Sequence, residues 1–472
     1  MNYPKKEYFN RLATRRIKQR AARSYYWNDI TKYCNYFSHD GLSVLEIGCG
    51  TGELLNTIKA KRKTGIDFSE EMIYQGKNQF PDLDLRVMAA EDLQMNEKYD
   101  LIILSNLIGY LDDIQIVFSR LHKVCHPNTK IIVTYYNFLW EPVLKFSEMI
   151  GLKTRTPVQN WLSLPEIRDL LKLSGFESYR NSRRMILPVY IPLLAELLNN
   201  FIAKFPFFRL LCLNNFVFAR PVLESNEEKF KEAFSVSVVI PACNESGNIE
   251  NAVLRMPKLG SKTEIIFVES NSTDDTWEQI KKVQEKYAST HSIRILKTEG
   301  KGKNDAVRKG FEMADGDILM ILDADLTVAP RELSKFYNAI ATGKGDFING
   351  SRLVYPMEKE AMRFLNLLGN KFFSSVFTWL LDQRLKDTLC GTKVLFKKDY
   401  ELLAANRSYF GDFDPFGDFD LLFGAHKLNL NIVEVPVRYR ERTYGRTNIS
   451  RFRHGWILLR MCFFAARKIK FR

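Results

Sequence analysis

Val44-Leu45-Glu46-Ile47-Gly48-Cys49-Gly50-Thr51-Gly52 decides the fold of the first half of the chain. An apolar run that breaks on alternate glycines is a buried strand ending in a tight turn. Glycine has no Cβ, so such a turn lets the backbone approach a ligand closely. Working outward, residues 54–60 read as a helix and 63–67 as a second short strand ending in Asp67. Ser69-Glu70-Glu71-Met72 opens another helix with Ser69 as its N-cap. Residues 85–88, 101–104 and 130–134 supply further strands with helices between them. Upstream, residues 1–40 read as helical, basic and aromatic. Strands alternating with helices predict a parallel α/β sheet.

The pattern changes near residue 220. Residues 221–234, with Glu224, Ser225, Asn226, Glu227, Glu228 and Lys229, are polar and lack strand character, which predicts a linker. A new strand opens at Val236 and the alternation restarts at 264–268, 293–296, 318–322 and 346–349. The two halves share no sequence repeat. The predicted organisation is therefore a first domain over 1–220 with a basic helical N-terminal extension, a linker over 221–234, and a second domain over 235–472.

A chain of 472 residues exceeds one typical core. With 46% hydrophobic and 26% charged residues, its composition is that of a globular protein. The net charge of +14 calls for an anionic partner. No nucleic-acid motif stands out, which favours an anionic membrane surface or phosphorylated substrates. Seven cysteines without a Cys-x-x-Cys pair imply neither a disulfide framework nor a zinc site, and fit a reducing cytoplasm. The basic start lacks the apolar core of a secretory signal. Residues 187–213 and 456–466 are apolar but interrupted by charges, so both read as interfacial helices rather than spans.

Further residues extend the first motif. Asp67 ends the second strand, where an acid can take both ribose hydroxyls of a nucleoside. Glu46 sits where an acid could meet an ammonium group. Ala89-Ala90-Glu91-Asp92-Leu93 follows the third strand, and Tyr99-Asp100-Leu101-Ile102 opens the fourth. The series, with Lys123 to Thr134, resembles the class I S-adenosylmethionine-dependent methyltransferases over about residues 22–220. The resemblance implies a Rossmann-like fold that binds S-adenosylmethionine through Glu46, Gly48, Gly50, Gly52, Asp67, Glu91 and Asp92. The methyl acceptor and any base stay open. Asn106, Tyr110, His122, Tyr135 and Tyr136 lie in plausible places.

In the second half, Leu322-Asp323-Ala324-Asp325-Leu326 places two carboxylates at i and i+2 at a strand end. Such a pair can engage one divalent cation and a pyrophosphate bridged by it. Pro241-Ala242-Cys243-Asn244-Glu245 follows the first strand of this half, and Glu269-Ser270-Asn271-Ser272 follows the second. Gly300-Lys301-Gly302-Lys303 then opens a helix. This order resembles the family 2 glycosyltransferases of GT-A fold, over about residues 235–450. Gly350-Ser351-Arg352, the run from Asp387 to Lys393, and the run from Arg442 to Thr447 resemble the dolichyl- and polyprenyl-phosphate sugar transferases within it. The resemblance implies a nucleotide-sugar pocket of Pro241, Glu245, Glu269, Asn271, Lys303 and Asp323. It implies Mg²⁺ or Mn²⁺ on Asp323 and Asp325, and Arg352, Arg363, Arg442 and Arg446 facing phosphates. The family usually carries Asp-Asp-Gly-Ser where this chain has Glu269-Ser270-Asn271-Ser272.

Chemistry supports the lipid-phosphate acceptor that the resemblance implies. A sugar hydroxyl must lose a proton as it attacks. A phosphate monoester is already anionic at neutral pH, with a second pKa of about 6, and needs cations instead. Arg438, Arg440, Arg442 and Arg446 supply planar forks suited to phosphate. Ile457, Leu458, Met461, Phe464 and Ala465 can share one helical face, with Trp456 and a terminal Lys/Arg cluster for an anionic membrane. The expectation is two doubly wound α/β domains in one bifunctional enzyme. The second transfers a sugar, with inversion, to a polyprenyl phosphate; the first methylates an acceptor in the same pathway. The expected place is cytoplasmic, peripheral on the inner face of the membrane. The alternative is a glycosyltransferase acting on a glycan hydroxyl, with Asp418 or Asp420 as its base and a non-catalytic, cofactor-binding or docking first domain.

Overall fold

Short apolar runs that alternate with amphipathic helices are buried by one arrangement, a sheet covered on both faces. The computed structural model describes residues 3–151, 156–157, 159–222, 232–299, 302–352, 364–406, 418–440, 442, 444 and 451–471. It gives the backbone alone at 3–4, 15–22, 364–368, 418 and 451–455. The chain divides into two compact units, Met1–Val222 with Lys470–Arg472, and Leu223–Ile469. Each is built on its own seven-stranded sheet.

The first sheet holds β1 (Ser43–Ile47), β2 (Arg62–Asp67), β3 (Asp84–Val87), β4 (Tyr99–Ser105), β5 (Cys125–Tyr136), β6 (Phe176–Arg184) and β7 (Asn214–Pro221). Their order is β3-β2-β1-β4-β5-β7-β6. The first five run parallel, and β7 is antiparallel to both β5 and β6. The sheet is thus mixed rather than purely parallel. Leu45, Ile47, Ile102, Leu104, Ile131 and Val133 form the centre of its core. Ser69 Oγ accepts from the Met72 N–H at 3.2 Å, capping the helix Glu70–Gln79.

The second sheet holds β8 (Val236–Ala242), β9 (Thr263–Ser270), β10 (Ser292–Thr298), β11 (Ile318–Ile321), β12 (Phe347–Ser351), β13 (Lys393–Phe396) and β14 (Ile432–Pro436). Their order is β10-β9-β8-β11-β13-β12-β14. Strands β10, β9, β8 and β11 are parallel neighbours, and β13 runs antiparallel between β11 and β12. In each unit the strand order turns back beside the first strand, at β1/β4 and at β8/β11. Open α/β sheets bind ligands outside the carboxyl ends of strands at such a reversal.

Residues 187–213 do not form the continuous interfacial helix expected. They make a short helix Leu194–Glu196, a π-helical turn Leu197–Phe201, and 3₁₀ turns Ile202–Lys204 and Phe208–Leu211. Pro188, Pro192 and Pro206 explain this, because a proline interrupts the backbone ladder of a helix. Most of the expected linker lies outside the described residues, and Pro221 closes β7 opposite Phe176. The C-terminal helix spans Arg451–Ile469. Of its expected lipid-facing stripe, Leu458, Met461 and Ala465 are buried, and the helix packs on the helix Phe364–Leu381. Its exposed apolar residues are Trp456, Leu459 and Phe463, at i, i+3 and i+7. Among the described residues no helix is long and apolar enough to cross a membrane.

Candidate functional site

In the first unit, β1 runs directly into the glycine turn. Gly48, Gly50 and Gly52 have φ of 72°, 57° and 83°. This left-handed backbone favours glycine. At Gly48 the space is also closed, since a Cβ there would lie 2.7 Å from Leu107 Cδ1. Asp67, at the end of β2, is buried and holds the turn. Its Oδ2 accepts from the Gly50 N–H at 2.8 Å and its Oδ1 from the Ser69 N–H at 2.9 Å. Glu46 is buried in β1, and its Oε2 accepts from the Leu55 N–H at 3.1 Å. The structure therefore brings Glu46, Gly48, Gly50, Gly52 and Asp67 to one strand-end crevice.

Glu91 and Asp92 occupy a 3₁₀ turn after β3. Glu91 Oε1 accepts from the Asp112 N–H at 3.1 Å. Asp92 is mostly exposed and lies 3.7 Å from Arg120.

A polar cluster borders the same crevice. Asn106 follows β4 with φ of 52°, and its Nδ2 donates to Tyr26 Oη at 2.9 Å. The Tyr26 hydroxyl donates to Asn214 Oδ1 at 3.1 Å and also bonds Tyr136. Ser105 Oγ, Asn106 Oδ1, Thr134 Oγ1 and Asn214 Nδ2 are buried there with no protein partner. Burial pushes the Tyr26, Tyr110, Tyr135 and Tyr136 phenols up, so they stay protonated at neutral pH. Asn106, Tyr110, Tyr135 and Tyr136 were legible as candidates, whereas Tyr26 and Asn214, far off in sequence, were not. His122 sits apart from this cluster, in the 3₁₀ turn His122–Val124 before β5. It stacks on Phe176, with Nε2 2.7 Å from the Ser174 carbonyl.

In the second unit, the carboxyl ends of β8, β9 and β11 converge. Glu245 and Asp325 share one arginine. Arg442 donates from Nη1 to Glu245 Oε1 at 3.0 Å and from Nη2 to Asp325 Oδ2 at 2.7 Å. Burial raises the Glu245 carboxyl, and Arg442 and Asn248 oppose that shift. Tyr444 completes the crossing, its hydroxyl 2.9 Å from Ser246 Oγ and its ring against Gly247. Asp323 pairs with Lys303, on the helix Lys303–Met313, at 2.6 Å. Burial opposes ionisation of Asp323, but Lys303, Lys393 and Arg352 outweigh it and lower its pKa. Gly391 lies against this pair. A Cβ at that position would fall inside van der Waals contact of both Asp323 Oδ2 and Lys303 Nζ.

Glu269 ends β9 almost wholly buried. Its Oε1 accepts from the Ser272 N–H at 2.7 Å, and its Oε2 has no partner. Asn271 has φ of 54°, and the neighbouring Thr273 N–H donates to Asn244 Oδ1 at 2.7 Å. Pro241 sits in β8, paired with Val268 of β9. Pro241, Glu245, Glu269, Asn271, Lys303, Asp323, Asp325 and Arg442 thus lie around one set of strand ends.

Arg352 is held differently. It donates from Nε to Asp387 Oδ2 at 2.7 Å and from Nη2 to Oδ1 at 2.8 Å, and its guanidinium stacks over Tyr439. Asp387 is the residue that sequence reasoning quoted without a role. Arg363 and Arg446 lie outside the described residues, as does the side chain of Asp418. Asp420 is buried and takes Arg308 Nη2 at 3.2 Å. Arg438 and Arg440 are exposed beside the bridge from Tyr439 to Val328.

Residues 237–401 match the family model for glycosyl transferase family 2, and residues 45–131 match that for a methyltransferase domain. The chain is 31% identical to a dolichol-phosphate mannosyltransferase of Pyrococcus furiosus, over 46% of this chain and 59% of that protein. It is 29% identical to a dolichyl-phosphate beta-glucosyltransferase of Saccharomyces cerevisiae, over 47% of this chain and 72% of that protein. It thus spans little more than half the length of the Pyrococcus relative. A solved structure, glucosyl-3-phosphoglycerate synthase of Mycobacterium tuberculosis with UDP, is similar at 18% identity and a TM-score of 0.38. That match covers 52% of this chain and 83% of that one.

Proposed function

We infer that this chain, a methyltransferase domain joined to a family 2 glycosyltransferase domain, works on a lipid-linked sugar. The second unit transfers a sugar from a nucleotide donor to a polyprenyl phosphate. The first is an S-adenosylmethionine-dependent methyltransferase acting in the same pathway. The observation that carries the first statement is the pairing of carboxylates with cations at the ends of β8 and β11: Asp323 with Lys303, and Glu245 and Asp325 with Arg442. This is a site for phosphate chemistry, with carboxylates for a metal and cations for phosphoryl oxygens in contact. The relatives named for dolichol phosphate support the lipid acceptor. Arg308 engages Asp420 at 3.2 Å, which is compatible with a site that uses no base. A phosphate acceptor needs none.

Asp323 and Asp325 would hold Mg²⁺ or Mn²⁺; their hard oxygen donors fit either ion. The metal supplies counter-charge to the departing diphosphate. The chain's own residues do the rest. Lys303 and Arg442 bring positive charge to the strand ends, and Gly391 leaves room against Asp323. Glu269 Oε2, buried and unpartnered, is an acceptor suited to a nucleobase N–H. Arg352 is a positioning residue, held by Asp387 along the Nε/Nη2 edge of its guanidinium.

In the first unit the residues fit an adenosyl cofactor. The left-handed glycine turn lets backbone come close to a ligand, and the Asp67 carboxylate ends β2 directly beside it. The cofactor supplies an electrophilic methyl group. The protonated phenols and buried amides around Asn106 orient a polar acceptor by hydrogen bonds. The outward stripe of Trp456, Leu459 and Phe463, with Arg460 and Arg467 also exposed, suits a peripheral place on an anionic, cytoplasmic membrane face.

The test incubates the full chain with a polyprenyl phosphate in detergent micelles, Mg²⁺ and a panel of nucleotide sugars, and measures released nucleoside diphosphate. Lipid-dependent release from one donor is expected. No release from any donor would refute the reading, and release only with a free glycan would move the acceptor to a hydroxyl. Calorimetry with S-adenosylmethionine tests the first unit separately; no binding would leave that unit a docking module.

A further inference from the structure

The first unit exposes far more apolar surface than a solvated domain needs. Of the large hydrophobic side chains that stand exposed among the described residues, six lie within 138–150 and twelve within 189–211. Phe138, Phe146, Leu193 and Phe207 are examples, with Leu193 81% exposed. Contiguous exposed patches mark an interaction surface, whereas scattered ones do not. Here the two segments are one structure. Asn137 Nδ2 donates to the Leu210 and Cys212 carbonyls, and Trp140 Nε1 donates to the Leu211 carbonyl at 2.8 Å. The buried Asn199 clamps the start of the second segment. Its Oδ1 accepts from the Ile186 and Leu187 N–H groups, and its Nδ2 donates to the Leu187 carbonyl and to Tyr25 Oη. Leu193 has φ of 64°. A branched side chain keeps that backbone only where its surroundings impose it, and here they point it outward.

Charge identifies the occupant. Arg183 and Arg209, both partly exposed, gather beside this surface, while Lys204 is buried behind them and Arg184 pairs with Asp29 at 3.0 Å. Burial, then Arg184, lowers the Lys204 ammonium to about 7, so the charge at the surface is carried by Arg183 and Arg209. Apolar, aromatic-rich turns beside clustered cations match the headgroup layer of an anionic bilayer: apolar side chains below the phosphates, cations among them. We propose that residues 138–150 and 189–211 are a membrane-docking surface of the first unit, seated in a bilayer that contains anionic phospholipid. This deepens the reading of a membrane-lipid substrate and rests on it for its purpose, though its evidence lies in the first unit alone.

The test is sedimentation of the full chain with vesicles of phosphatidylcholine, with and without phosphatidylglycerol, none containing a polyprenyl phosphate. Parent and variants carry Trp456→Asp and Phe463→Asp, so that the C-terminal helix does not mask the result. Leu193→Asp with Phe207→Asp should weaken vesicle binding at least tenfold, roughly the effect of withdrawing two large apolar side chains from an interface. Arg183→Gln with Arg209→Gln should weaken binding to the anionic vesicles only. Nucleotide release in micelles should survive both pairs, so a failed glycosyl-transfer reading leaves this test standing. Unchanged vesicle binding by Leu193→Asp/Phe207→Asp would overturn the proposal. So would a lipid-free dimer of the parent that the same pair converts to monomer, since the patch would then be a protein interface.

Discussion

Asp387→Asn removes one charge from a buried pair and leaves its shape. Asp387 is fully buried, and its carboxylate takes five donors: Arg352 N, Nε and Nη2, Asn370 Nδ2 and the Leu389 N–H. Despite burial, Arg352 holds its pKa down to about 2. Two routes give the cost. Breaking a buried ion pair from one side costs about 3–5 kcal/mol, because the remaining charge is stranded. A carboxyl held near 2 against about 3.9 unfolded contributes roughly 2.6 kcal/mol at neutral pH. Both meet near 3 kcal/mol, a factor of roughly a hundred in an opening equilibrium. The second unit should be read by itself, since a two-unit chain need not unfold in one step. Hydrogen exchange at Val238, Ile240, Leu319 and Met320 in β8 and β11 does that, and should accelerate about a hundredfold in the variant. The pH dependence has a fixed sign. A depressed folded pKa gives stability that is complete above the unfolded value and lost as pH falls toward the folded one. The gap between parent and variant should therefore be flat from pH 7 to pH 5 and narrow below about pH 4. Acceleration under about fivefold, or a gap that closes between pH 7 and 5, would refute the reasoning.

Further outcomes follow from the same geometry. Asp323→Asn should lower sugar transfer at least a thousandfold with the fold intact by circular dichroism, as expected for loss of a charge that engages both metal and Lys303. Gly391→Ala should lower transfer about tenfold or more while costing less than about 1 kcal/mol in denaturant unfolding, because the atoms its Cβ meets are the ends of two flexible side chains. Glu269→Gln should weaken nucleoside-diphosphate binding in calorimetry by about tenfold, an effect of the order of one charge-assisted hydrogen bond. Gly50→Ala, at φ of 57° inside the turn on Asp67, should abolish S-adenosylmethionine binding while leaving nucleotide release unchanged.

What was legible in the sequence was whatever a local pattern encodes. The apolar runs at β1, β4, β8 and β9 announce themselves, because a strand buried on both faces has no polar alternation to obscure it. The Gly48–Gly52 turn and the Asp323/Asp325 pair are local too, set by backbone freedom and by spacing. Strand β6, Phe176-Glu-Ser-Tyr-Arg-Asn-Ser-Arg-Arg184, was illegible for the opposite reason. It is a polar edge strand whose place follows from pairing with β7, and Arg180 is buried in it under the rings of Phe37 and Phe218. The partners of the functional cations were also out of reach. That Arg442 bridges Glu245 and Asp325, that Arg352 belongs to Asp387, and that Asp420 belongs to Arg308 are facts of tertiary approach across tens of residues or more. The tail gives the sharpest case. Helical periodicity located an apolar stripe correctly but not its destination. Leu458, Met461 and Ala465 went inward, and the exposed side kept Trp456, Leu459 and Phe463. Periodicity defines a face, while the neighbour that covers it is chosen by the rest of the chain. A helix with apolar residues on two sides therefore needs its packing partner identified before either side is assigned to a membrane.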